Sequence, residues 1–259
     1  MTQQPEESTL RDSLATGALI LTIFLVLNFA VRPLVTWFIP AKVSYLRWGL
    51  VSFFEIAGSL AAVMAISRTG PVGALRRVRL ASSFPKGLAF GFLITLPMLL
   101  AFALTGPVKE NPDFLHLIFG SGVAPLNEEI LFRGFAFLML YRYARWNFWL
   151  AVLIPAVLFG YGHLYQAGGF LEATGIFAIT AIGSVWFSWL LIRWDNLWVP
   201  IMLHALMNLW WDLFAVDETA LGGWLANGSR ILVIVISVVV TIYAAGRLRG
   251  AEEANLEGS

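Results

Sequence analysis

Cysteine is absent from the chain. That removes disulfides, thiol nucleophiles and thiolate metal ligands together. Charge is scarce too: Asp, Glu, Lys and Arg make up 13 % of the 259 residues, about half the share of an ordinary soluble domain. Neither sign dominates, with 17 Lys and Arg against 16 Asp and Glu, so no basic stripe exists for a nucleic-acid backbone. Histidine occurs three times. What is abundant is apolar. Hydrophobic residues make 59 % of the sequence, and the mean hydropathy is +0.77. They fall into runs of roughly 15 to 20 residues, close to what a helix needs to cross the hydrocarbon core. A water-soluble globule, a disordered chain and a nucleic-acid binder are thereby excluded. The chain reads as an all-α, polytopic membrane protein.

Eight runs are candidate spans: 15–31, 48–66, 87–105, 123–141, 148–165, 173–192, 197–216 and 231–246. They are continuous rather than alternating, which argues against strands. Residues 72–79 and 112–119 read as short interfacial helices. The first fourteen residues carry more acid than base and no small-x-small cleavage site follows, so the first run stays as a membrane helix. With the N-terminus inside, the inner loops collect Arg11, Arg68, Arg76, Arg77, Arg79, Lys86, Arg142, Arg145, Arg193, Arg247 and Arg249. The outer loops collect Arg32, Lys42, Arg47, Lys109 and Arg230. That imbalance predicts both termini in the cytoplasm. Tryptophans 37, 48, 146, 149, 194, 198 and 224 fall near span ends, where an indole sits at headgroup level. One transmembrane domain over 15–246 is expected, between a polar N-terminal segment (1–14) and a polar C-terminal one (247–259). The last four residues, Leu-Glu-Gly-Ser, read as an expression remnant.

Ionisable side chains inside a span cost several kcal/mol and are functional candidates by default. Here they are Glu55, Glu128, Glu129, Arg133, His163 and His204, with Asp212 toward a span end. Glu128 and Glu129 are adjacent and point about 100° apart on a helix. Glu129 and Arg133 are four apart, acid first, the favoured order for a helical ion pair. Glu128 then lacks a local partner and must find one on another helix. Both histidines in the spans are available: His163 in FGYGH, and His204, which shares a face with Asn208 in HALMN. A carboxylate with a histidine can hold and deprotonate water, while a second imidazole and an amide can donate to an oxyanion. Each motif alone has a plainer reading, as a dipole-favoured glutamate pair or a helix-bridging histidine. Glu55 reads as a structural partner for an arginine or as an acid beside the substrate path. His116 reads as a loop or interfacial residue.

The strings EEILFR (128–133), FGYGH (159–163) and HALMN (204–208) match E-E-x-x-x-R, F-x-x-x-H and H-x-x-x-N in that order. The chain thereby closely resembles the CPBP family, the CAAX proteases and bacteriocin-processing enzymes, which includes the type II CAAX prenyl endopeptidases. The resemblance implies an eight-helix intramembrane endopeptidase of bacterial type, set in the cell membrane, with its active site buried in the helix bundle. It implies Glu128 as general base with His163, and His204 and Asn208 as oxyanion donors. Glu129 and Arg133 would support them. The substrate implied is a CAAX-like or other membrane-associated peptide or protein, prenylated or not. Membrane lipid is the other expected partner, nucleic acid is not one, and oligomeric state is unread.

A metal-free glutamate mechanism is expected. The alternative is zinc held by Glu128, His163 and His204, against which stand the missing HExxH helix and the poor ligand quality of the Asn208 amide. Two other functions compete: a proton-coupled transporter, which lacks support from repeat symmetry or paired broken helices, and a non-catalytic membrane scaffold, which need not have kept all four site residues. One spatial difficulty stands out. Glu128 and His163 lie toward the outer ends of their spans, whereas His204 enters from the inner side, so the three meet only if helices tilt or the span ends move.

Overall fold

A computed structural model describes residues 4–216 and 219–257. The first three residues of the polar N-terminal segment, and the Gly-Ser end of the suspected remnant, lie outside the described residues. In lipid every backbone N–H and C=O must be satisfied within the chain, and a continuous apolar run satisfies them as a helix. The molecule follows that rule: the described residues form helices α1 (Gln4–Phe38), α2 (Ser44–Ser67), α3 (Pro71–Arg77) and α4 (Phe84–Thr105). Then come α5 (Phe114–Ile118), α6 (Ala124–Glu128) and α7 (Leu138–Arg142), joined by the wide-turn π-segments Phe119–Val123 and Glu129–Phe137 into one unbroken rod over 114–142. The remainder is α8 (Phe148–Gly162), α9 (Phe170–Trp194), α10 (Trp198–Leu213) and α11 (Trp224–Glu257). Among the described residues the only β pairing is an isolated bridge between Val108 and Phe214.

All eight apolar runs are helical, but among the described residues only six helices are long and apolar enough to cross a membrane by themselves. The runs 123–141 and 197–216 are the two that differ. One π-segment interrupts the first and another leads into it, and the second closes after sixteen residues as α10. The short helices expected near 72–79 and 112–119 are α3 and α5. The polar N-terminal segment is already helical from Gln4 and continues into α1.

Side chains mark where helices start and stop. Asn147 accepts from Leu150 N at 2.9 Å to open α8, and Asp113 accepts from His116 N at 3.1 Å to open α5. These bonds satisfy amides that no helical carbonyl reaches. The Tyr45 hydroxyl donates to the same Asp113, which holds that carboxyl below the usual carboxylate range. Glycine sets the closest helix contacts. A Cβ on Gly91 of α4 would lie 2.8 Å from that of Met202 on α10, and one on Gly160 of α8 would lie 2.9 Å from the Phe177 ring on α9. Only glycine permits those approaches.

Two apolar clusters result. One surrounds the second π-segment, with Phe24, Val63, Phe132, Phe135, Phe159 and Leu191. The other joins α4, α9, α10 and α11 through Phe90, Met98, Phe187, Leu203 and Val233.

The two ends of the bundle are built differently. At one end Arg79 and Arg142 both reach Asp195, at 2.9 and 2.6 Å, and Leu197 N donates to Arg79 O at 3.2 Å. Ser13 of α1 donates to Ala144 O there at 2.5 Å, and Trp194 donates to Thr241 of α11 at 2.9 Å. The opposite end gathers the links α1–α2, α4–α5, α8–α9 and α10–α11. Lys109 N donates to Leu213 O, and Ala215 N to Pro107 O, both at 3.0 Å.

Candidate active site

Glu128 closes α6 and Glu129 opens the second π-segment. The ion pair expected from their spacing forms: Arg133 Nη1 lies 3.1 Å from Glu129 Oε1, and both side chains are fully buried. The guanidinium rests over the Phe159 ring, 4.2 Å from its centre, with the Phe187 ring at 5.5 Å. Among the described residues no guanidinium nitrogen of Arg133 attains hydrogen-bond geometry, and neither does Glu129 Oε2. Aromatic faces therefore stand where water or amide donors would normally stabilise a buried charge pair.

His204 joins the two glutamates. Its Nδ1 lies 2.9 Å from Glu129 Oε1, and its Nε2 lies 3.8 Å from Glu128 Oε2. The sequence assigns Glu129 to Arg133 alone and leaves Glu128 seeking a partner; in the structure one imidazole spans both carboxylates. Its ring packs between the two apolar clusters, 6.3 Å from Phe159 and 5.7 Å from Phe187. The spatial difficulty disappears because the 114–142 rod begins well before the span read from sequence. Glu128 is thus deep in the bundle, level with His204 only six residues into α10.

His163 follows α8 immediately. Its Nδ1 lies 2.7 Å from the Phe159 carbonyl, which has lost its helical partner at this helix end. A carbonyl only accepts, so Nδ1 carries the proton and Nε2 is left as an acceptor. Asn208, one turn beyond His204, donates one Nδ2 hydrogen to Gly120 O at 3.1 Å. That bond ties α10 to the first π-segment. Asp212, one turn further, accepts from Ser121 of the same segment at 3.0 Å and lies 3.8 Å from His116 Nε2.

Glu128, His163, His204 and Asn208 line one cavity of about 400 Å³. Its walls are otherwise largely apolar and aromatic, with Trp48, Ile176, Trp186 and Trp211 among them. Glu129 and Arg133 are not on its wall; they lie behind His204. The cavity runs from Glu128 to the loops at one end of the bundle, where Tyr165, Gln166, Ala220 and Leu221 border it. His116 and Asp212 also reach this wall, although the sequence places them in a loop and near the interface. Among the described residues no group of three histidine, cysteine, aspartate or glutamate side chains stands ready to hold a metal ion.

One connection is missing from the sequence reading. Glu55, buried in α2, accepts from Asn127 Nδ2 at 2.5 Å, and Asn127 directly precedes Glu128. The available signal was an amide set beside two acids inside an apolar run.

Residues 93–210 match the model of the family described as type II CAAX prenyl endopeptidase Rce1-like. The match contains all three motifs. A Bacillus subtilis (strain 168) protein named "Putative membrane peptidase YdiL" is 37 % identical over 94 residues, which is 36 % of this chain and 34 % of that protein. An Escherichia coli protein named "Uncharacterized 24.3 kDa protein" is 37 % identical over 97 residues, 37 % of this chain and 42 % of that one. The chain thus spans between a third and a half of the length of these curated relatives. No solved structure matches it.

Proposed function

We propose, from residues 93–210 belonging to the Rce1-like family, that this integral membrane protein is an intramembrane endopeptidase with Glu128 as its general base. The observation that carries the reading is the convergence of Glu128, His163, His204 and Asn208 on one cavity. In this reading, water binds between Glu128 and the acceptor Nε2 of His163. Glu128 takes one of its protons, and the hydroxide attacks the carbonyl carbon of the scissile peptide. The carbonyl π electrons move to oxygen. The second Nδ2 hydrogen of Asn208, the one not given to Gly120, points support at that oxyanion. His204 contributes only as an imidazolium, because its Nδ1 proton is engaged by Glu129 and Nε2 must also carry one to donate. Arg133 balances the charge of Glu129 in turn. Collapse breaks the C–N bond, and Glu128 returns its proton to the departing amine.

The substrate is a membrane-associated peptide or protein, CAAX-like or otherwise, and lipid surrounds the outer helices. Zinc is the rival to this chemistry, since Glu128, His163 and His204 are acceptable ligands. The amide of Asn208 favours the metal-free form, because it is a poor ligand and a good oxyanion donor. Both are tested by offering detergent-purified protein a quenched fluorescent peptide library, with and without a strong chelator. Cleavage that survives the chelator is the expected result. Cleavage abolished by the chelator and restored by zinc would turn the base and donors into ligands. A protein that binds no peptide and cleaves none would return the transporter and scaffold readings.

A further inference from the structure

The two ends of the bundle differ in charge, and the cavity reaches only one of them. The links α2–α3–α4, α7–α8 and α9–α10 meet at a single end and bring Arg68, Arg76, Arg77, Arg79, Arg142 and Arg145 together. Arg77 lies over the Tyr143 ring at 5.2 Å, and Asp195 is shared by Arg79 and Arg142. All of these links contain non-glycine residues in the left-handed region, four in total: Arg68 (φ 48), Arg79 (φ 65), Arg145 (φ 59) and Asp195 (φ 48). These sharp turns keep the arginines on short loops close to the helix ends. The contacts of Ser13 and Thr241 bring α1 and α11 to the same end.

The opposite end has fewer cations, and two of them are committed to its own loops. Arg47 donates to Ile39 O at 2.6 Å and to Thr36 O at 2.8 Å. Arg230 donates to Leu221 O at 2.7 Å and to Ala220 O at 3.0 Å. Lys and Arg on short loops set membrane orientation by remaining in the cytoplasm, and acidic residues count for little. By that rule the arginine-rich end faces the cytoplasm. The cavity is bordered at the other end by Tyr165, Gln166 and Leu221, and no residue of the arginine-rich loops lines it.

We propose that the catalytic cavity opens on the extracytoplasmic side, and that the substrate is a membrane-associated peptide whose scissile bond enters from that side. The substrate half rests on the protease reading above; the direction of the opening does not. A peptide held at the cytoplasmic surface would meet the arginine-rich loops, the buried Arg133 and two apolar clusters before Glu128. A peptide on the outer surface meets an aromatic-walled channel that leads to it.

The absence of cysteine makes the direction directly measurable. Single cysteines are placed in the full chain at exposed Gln166, at the cavity mouth, and at exposed Arg76, on the other end. Lys109→Cys, in the α4–α5 link, is a second reporter of the mouth end that does not touch the cavity. In intact bacterial cells a membrane-impermeant maleimide is expected to label Gln166→Cys and Lys109→Cys, and to label Arg76→Cys only after permeabilisation. The reverse pattern overturns the proposal. Peptide is then supplied to spheroplasts and to inverted vesicles. Cleavage by spheroplasts alone is expected, and cleavage by inverted vesicles alone overturns the substrate half. No cleavage in either, with labelling as expected, overturns the protease reading and the substrate half while the direction of the opening stands.

Discussion

Helix α1 and the second π-segment solve opposite problems. In the most apolar stretch of α1, 17 % of residues are buried inside the protein; in Glu129–Phe137 all nine are. Helix α1 is built to meet lipid, and its apolar side chains are left for the bilayer to cover. The π-segment never meets lipid, so it can hold Glu129 and Arg133, provided that each pays its desolvation with the other. The same division runs through the fold. The six helices that pass as spans by hydropathy form the wall, while the rod and α10, which do not, carry Glu128, His204 and Asn208. Three of the four candidate residues thus sit on the two poorest membrane spans, and His163 stands at the end of a good one.

Substitutions on either side of that division should behave differently. The largest effect is expected from Glu128→Gln, which keeps shape and removes the base. Peptide cleavage should fall by about 10² to 10⁴-fold, the usual worth of a general base. The thermal midpoint should hold, since this side chain faces the cavity and not the core. Retained turnover would sink the mechanism. Arg133→Met comes next, because it leaves Glu129 buried without its cation. A loss of about 3–5 kcal/mol is expected, read as a lower Tm in detergent. The double variant Glu129→Gln, Arg133→Met should recover most of it, and no recovery would mean that the two charges are not a pair. Glu55→Gln should cost less, about 1 kcal/mol, because the amide oxygen can still accept from Asn127 and only the charge is lost. A thermal melt compared with wild type measures it. Leu19→Ala on α1, where the leucine is 51 % exposed, should change stability by no more than about 0.5 kcal/mol. A larger loss in lipid nanodiscs would mean that the outer wall packs against something other than lipid.

Much of this was legible in the sequence, for physical reasons. Apolar runs show because lipid tolerates nothing else, so all eight helical stretches could be found in order. Glu128, His163 and His204 show because an ionisable group in such a run is costly, and because three motifs together outweigh the plainer reading that each has alone. The meeting of His204 with both glutamates was not legible, since it depends on how α10 crosses the rod and not on spacing within either. The rod itself was misjudged at its start: the span was begun at residue 123, although the helix runs unbroken back through Gly122 and Gly120 to Phe114. Asn127 escaped notice because a neutral amide leaves no mark in a charge or hydropathy pattern. Its role appears only once α2 brings Glu55 beside it. Asp212 was read as interfacial for want of any sign of Ser121, whose hydroxyl lies in a different apolar run.

The wide turns of the rod have a consequence for insertion and deletion. A π-turn closes its hydrogen bond one residue later than an α-turn, so each π-segment holds more chain per turn than its neighbours do. Losing one codon between Glu129 and Phe137 would let the rod tighten toward an α-helix. Where that tightening did not absorb the deletion, every residue beyond it would swing by about 100° relative to Glu128. If the deletion fell before Arg133, the guanidinium would leave Glu129 and its place over Phe159. Such a frame-preserving deletion would keep hydropathy and composition almost untouched and still dismantle the support behind His204, so the length of this short stretch should be as constrained as the identity of its charges.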